Sequence, residues 1–181
     1  MELNSVICNR RSIRKYKKDQ IDKNIIINIL KNAILAASAH NNQPWHYYVF
    51  TLDKKDELRK LIHDYITNNA NDLTFYQKIM RRCYEFVNTA PVLILAYIDS
   101  EHSEMQDIIS IGASIEHILL SAEDNDLGSL WLGVITDFEE IINKKFNITN
   151  KKLVSGIVLG YKDEYPDKRP RKEFNDVVTF M

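Results

Sequence analysis

Pro91-Val92-Leu93-Ile94-Leu95-Ala96-Tyr97-Ile98 is the stretch on which the reading of this chain turns. After the proline the run is apolar without a break. A strand with one wet face alternates apolar and polar residues, so an unbroken run of this length suits a strand buried on both faces. Two buried faces need two covering layers, and the flanking sequence supplies helices for them. Upstream, Phe75 to Val87 reads as a helix. Lys54 to Asn69 reads as another, with Leu58, Leu61, Ile62, Tyr65 and Ile66 on one face. Before them, His46 to Leu52 is β-branched and aromatic, a strand pattern. Downstream, Ser103 to Asp124 carries the longest helical stripe: Ile108, Ile111, Ile115, Ile118, Leu119 and Ala122.

Gly128 terminates that helix, and Ser129 to Ile135 reads as a strand. Asp137 with Glu140 resembles a capping box opening a helix through Phe146. Leu153 to Tyr161 is a further strand. Near the start, Leu3 to Asn9 predicts a short helix, and Arg10 to Tyr16 an extended basic segment. Asp22 is a plausible N-cap for a helix with Ile26, Ile29, Leu30, Ala33, Ile34 and Ala37 on one side. The tail, Lys162 to Met181, ends in Val177-Val178-Thr179-Phe180, a short strand pattern suited to pairing with another chain. The strands are too few for a barrel, so a central sheet covered by helices is the economical arrangement.

The 181 residues carry 24 Lys and Arg against 25 Asp and Glu. This length suits one domain, 1–181. The balance argues against a general nucleic-acid binder, which needs a basic excess, but leaves room for a local anion site. Cys8 and Cys83 form no CxxC pair and read as free thiols in a reducing, cytoplasmic setting. The first residues lack a signal-peptide pattern, and no apolar run of about 18 residues predicts a membrane span. His40, His46, His63, His102 and His117 show no metal-ligand spacing. Only five glycines occur. Neither GxGxxG nor GxxxxGK[ST] nor GxSxG is among the motifs, so any phosphate must be held largely by side chains.

Four segments concentrate polar chemistry. Arg10-Arg11-Ser12-Ile13-Arg14-Lys15-Tyr16 offers guanidinium forks that match phosphate oxygens, or is a solvated basic turn. Ser38-Ala39-His40-Asn41-Asn42-Gln43-Pro44-Trp45 offers amides and hydroxyls to a heteroaromatic edge, or is a polar connection. Leu127-Gly128-Ser129-Leu130-Trp131-Leu132-Gly133 allows a ligand near the backbone, or is a helix cap followed by a buried strand. In Lys168-Arg169-Pro170-Arg171-Lys172, Arg169 and Arg171 point the same way in an extended chain, or are a basic solvated tail.

Together, and in this order, the four segments resemble the FMN-dependent nitroreductase family. The likeness spans about residues 8 to 178. The resemblance implies an α+β fold, a central and mostly antiparallel sheet flanked by helices. It implies an obligate homodimer whose C-terminal segment is exchanged onto the partner, with FMN at the subunit interface. Carried over by position, Arg10, Arg11 and Ser12 hold the phosphate and ribityl end, with Arg169 or Arg171. Arg14 faces the N1/O2 edge of the ring. Ser38, Ala39, His40, Asn41 and Gln43 lie on the loop that comes from the other subunit. Backbone near Gly128 and Ser129 lies against the ring. The implied activity is ping-pong: NAD(P)H reduces the flavin, then a nitroaromatic, quinone or related acceptor takes the electrons, with no catalytic acid or base named. Alternatives on the same scaffold are a dehalogenase-like enzyme, a non-catalytic flavin binder or a flavin sensor.

Overall fold

Val92–Asp99 is a strand, β2, and its residues from Val92 to Ile98 are at most 1% exposed. Its side chains alternate between two cores. Leu93, Leu95 and Tyr97 enter one; Val92, Ile94, Ala96 and Ile98 enter the other. The apolar run is thus two interleaved faces of one strand. The computed structural model describes residues 2–102 and 104–181, and among these the side chains of all but positions 76, 80, 82, 83, 85 and 102.

In chain order the named elements are α1 (Leu3–Asn9), α2 (Lys23–Ala33), β1 (Trp45–Thr51), α3 (Leu52–Asn68), α4 (Phe75–Thr89), β2, α5 (Met105–Asp124), β3 (Leu127–Leu132), α6 (Glu139–Phe146) and β4 (Lys151–Tyr161). Four strands form one sheet in the order β1-β2-β4-β3, and every pairing is antiparallel. The first core gathers Phe50 of β1, Leu58, Ile62 and Ile66 of α3, Val87 of α4 and Ile142 of α6. The second gathers Ile26, Ile29 and Ala33 of α2 with Ile111, Ile115, Ile118 and Ala122 of α5. No helix among the described residues is long and apolar enough to cross a membrane.

Several boundaries differ from expectation. The second helix stops at Ala33, not Ala37. Its late carbonyls are met by α5: Ser114 Oγ donates to Ala33 O at 2.6 Å, and His117 Nδ1 lies 3.0 Å from Asn32 O. Ile34 and Leu35 beyond it are exposed, so helical spacing overran the buried stripe. The third strand covers Leu127–Leu132, because its partner β4 pairs only from Tyr161 to Gly156. Residues 133–138 then form 3-10 turns.

Asp137 does not cap α6; its carboxylate accepts from Thr74 Oγ1. The capping box that does form is Thr74 with Gln77, at the start of α4. No strand forms at 177–180; residues 174–176 make a 3-10 turn, and Val177 and Phe180 stand exposed. The expected start of the long helix at Ser103 and the Cys83 thiol lie outside the described residues and side chains. Cys8 is a free, exposed thiol.

Candidate functional site

The basic segment after α1 runs as an extended arm across the end of the sheet. Two buried side chains fix it: Ile13, 2% exposed, and Tyr16, 5% exposed. Both seats exist because a glycine lies beneath. A Cβ on Gly128 would stand 2.8 Å from Ile13 Cβ, and one on Gly160 would stand 2.7 Å from the Tyr16 ring. On its Cβ side, the close approach that Gly128 allows is taken by the chain itself. Ser12 bridges to Ser129 in parallel, and Ile13 N donates to Ser129 O at 2.9 Å. The Ser129 carbonyl is thus turned to the arm. Burying Ile13 contributes about 1.5–3 kcal/mol toward ordering the arm.

The first residues of the tail are stitched to the same arm. Tyr16 bridges Lys162, and Lys17 N donates to Tyr161 O at 2.9 Å. Asp163 N donates to Lys15 O at 3.1 Å. One oxygen of Glu164 accepts from the backbone N–H of both Arg14 and Lys15. Lys162 is itself pinned by Glu123 of α5 at 2.8 Å, both largely buried. These bonds bring the two ends of the chain to one place.

There a cavity of about 330 Å3 opens, lined by Ile7, Cys8, Arg10, Arg11, Ser12 and Arg14 from one end, and by Pro166 to Arg169 and Arg171 from the other. Six cationic side chains face it against one carboxylate, Asp167. Arg10 is balanced only at 3.7 Å by a half-exposed Glu116. Arg11 donates through Nη1 to the carbonyls of Cys8 and Arg10, while its Nε is buried with no acceptor among the described residues. An orphan buried donor is unfavourable by about 1–3 kcal/mol. Arg14 donates to Ser12 O at 3.2 Å and lies 5.9 Å over the Phe86 ring. Chemically the cavity suits an oxyanion of more than one charge. Glu164 and Glu116 touch the residues that line it and carry no spacing signal in the sequence, because they stand as isolated charges.

The Ser38–Gln43 loop does not line this cavity. It docks on α5: Ala39 N donates to Ser110 Oγ at 3.1 Å, and Asn42 Nδ2 to the buried Asp107 at 3.2 Å. Gln43 N is tied back to Ser38 Oγ. His40, Asn41 and Gln43 all hold positive φ, at 50°, 56° and 48°. Asparagine and histidine are among the residues that adopt that region more readily; for Gln43 it is strain.

Comparison with known proteins adds the following. The model of the nitroreductase family matches residues 7–161. A protein of Archaeoglobus fulgidus provisionally named NADH dehydrogenase/NAD(P)H nitroreductase is 34% identical, across 88% of this chain and 85% of its own. The iodotyrosine deiodinase of Thermotoga neapolitana is 28% identical, across 91% and 90%. In three dimensions, the FMN-dependent nitroreductase NfnB of Mycobacterium smegmatis, solved in complex with NADPH, superposes with a TM-score of 0.83 at 18% identity, across 98% of this chain and 97% of its own.

Proposed function

This chain belongs to the nitroreductase family, and we propose that it is an FMN-dependent oxidoreductase that carries electrons from NAD(P)H to an electron-poor acceptor such as a nitroaromatic or quinone, by ping-pong exchange in a homodimer. The observation that carries the reading is the cavity where Arg10, Arg11 and Arg14 meet Arg169 and Arg171. Its donor set fits a flavin mononucleotide: the guanidinium forks match a phosphate dianion. Arg10, Arg11, Ser12, Arg169 and Arg171 would hold the phosphate and ribityl end. Arg14, steadied by Phe86, would set a positive charge beside the ring and favour its anionic reduced form. FMN, when bound, supplies the hydride and electron chemistry. Gly128 and Ser129 act through the arm, by fixing where Ser12 and Ile13 lie.

The dimer is supported by apolar surface that one chain leaves open. Leu3 and Ile7 on α1, and Met105 and Ile109 on α5, form two i,i+4 pairs, each residue more than half exposed. A second copy of the chain is the partner that covers them. It would also accept the exposed tail, and it would deliver Ser38, Ala39, His40, Asn41 and Gln43 to the flavin.

The visible spectrum of the purified protein, before and after anaerobic NADH or NADPH, tests the proposal. A yellow protein, bleached by nicotinamide and recoloured by a nitroaromatic, is expected. A colourless protein that takes up no added FMN refutes it. The deiodinase relative favours a second reading, reductive dehalogenation. Turnover of halogenated phenols without nitro reduction would select it.

A further inference from the structure

A second cavity, of about 360 Å3, lies where the chain beyond the arm meets the first turn of α3 and the turn from α4 into β2. Lys55 lines it and is only 7% exposed, which is rare for lysine. Its ammonium donates to the carbonyl of Asn88 at 2.9 Å. An ammonium has three donors, and a neutral carbonyl leaves its charge uncompensated. Among the described residues no carboxylate lies within ion-pair distance of it, although Asp56 also lines the cavity, so that two ammonium groups, those of Lys55 and Lys18, stand against one carboxylate. Its sequence neighbour Asp56 is turned to Arg59 at 3.4 Å, and Glu57 to Lys54 and Lys145. Burial holds the Lys55 ammonium below its ordinary pKa, while the charge of Asp56 pulls it the other way. Lys18 adds a second ammonium to the lining, while Tyr16 and Pro91 supply an apolar wall.

We propose that this cavity is a binding site for a small organic oxyanion, its charged head on the ammonium groups of Lys55 and Lys18 and its apolar body against Tyr16 and Pro91. The site is separate from the arginine cavity and does not depend on flavin. Because the segment from Tyr16 to Lys18 continues the arm, an occupant ties the arm to α3.

Isothermal titration of the full-length protein with sodium benzoate, in chloride buffer of constant ionic strength, reads the site directly. Saturable binding is expected in the wild type. It is kept within about twofold in an Arg10→Ala/Arg11→Ala variant, since neither arginine lines this cavity. It is weakened about tenfold or more in Lys55→Gln, where a charge-assisted bond is lost. At one hundred times its Kd, benzoate lowers the unfolding equilibrium constant about 100-fold in the wild type, and Lys55→Gln loses that gain. Phenyl phosphate in place of benzoate separates the two head groups, and Lys55-dependent binding of either supports the site. Absence of saturable binding by both, equal binding by Lys55→Gln, or loss in the arginine variant overturns it. Should Lys55→Gln fail to fold, Lys18→Ala at an exposed position carries the same test.

Discussion

Replacing Gly128 with alanine tests whether the arm is seated as described. The added methyl would lie 2.8 Å from both Cβ and Cγ2 of Ile13, and 3.0 Å from Cγ1. These atoms belong to the branch point of a side chain only 2% exposed, so no flexible end can swing away. Overpacking of this kind is unfavourable by about 1–3 kcal/mol. Against it stands the gain of about 0.4–1 kcal/mol from a stiffer unfolded chain. If the arm lifts instead, the burial of Ile13 is lost, about 1.5–3 kcal/mol. A net loss of about 1–2 kcal/mol follows, or roughly 2–8 °C in Tm for a chain of this size. Gly133→Ala is the control: nothing lies within 4 Å of its added Cβ, and its φ is not positive. It should be neutral or gain up to about 1 kcal/mol. Urea denaturation of both variants, with FMN affinity alongside, measures this. Gly128→Ala should also bind FMN more weakly, because Ser12 and Arg14 move with Ile13. Unchanged stability in Gly128→Ala, or an equal loss in Gly133→Ala, would refute the reasoning.

Three further outcomes are expected. Arg14→Ala should weaken FMN binding about 10- to 150-fold, one charge-assisted contact's worth, read by fluorescence quenching; retention of full affinity would remove Arg14 from the site. Tyr47 donates to Ser114 Oγ, and burial pushes its hydroxyl pKa up to about 12. Between pH ~10 and that value the folded protein keeps a proton the unfolded chain has lost, so stability falls as pH rises, by up to about tenfold in the unfolding constant per pH unit. Tyr47→Phe should flatten that alkaline decline in pH-dependent denaturation, and an unchanged slope would contradict the assignment. Deleting residues 174–181 removes exposed Phe174, Val177 and Phe180; sedimentation velocity should then show a shift toward monomer, whereas an unaltered distribution would mean the tail plays no part in assembly.

Local pattern carried most of the elements. The helical stripe of Ile111, Ile115 and Ile118 and the apolar run of β2 read correctly, because burial on two faces leaves few alternatives. Ends were less legible. Ala33, rather than Ala37, closes α2 because Ser114 and His117 of another helix meet its carbonyls. The Thr74–Gln77 box was present in the sequence and passed unread, whereas Asp137, which looked like a cap, bonds to Thr74 across 63 positions. At the arginine cavity, the charged residues were visible as clusters. Glu164, which latches the tail through two backbone N–H groups, carried no motif at all.

The sequence by itself determined that this chain builds a sheet between helices and that it has no glycine loop, so that any phosphate it binds is met largely by side chains. Hydrophobic period and residue chemistry are local properties, so they can be read along the chain. Only the tertiary structure decided that residues 10–14 and 166–171 share one cavity, and that Gly128 and Gly160 are seats for Ile13 and Tyr16. The same holds for Lys55, which is buried with its ammonium on the carbonyl of Asn88. Distances between remote segments depend on how whole elements pack, and packing is a property of the folded chain rather than of any window in its sequence.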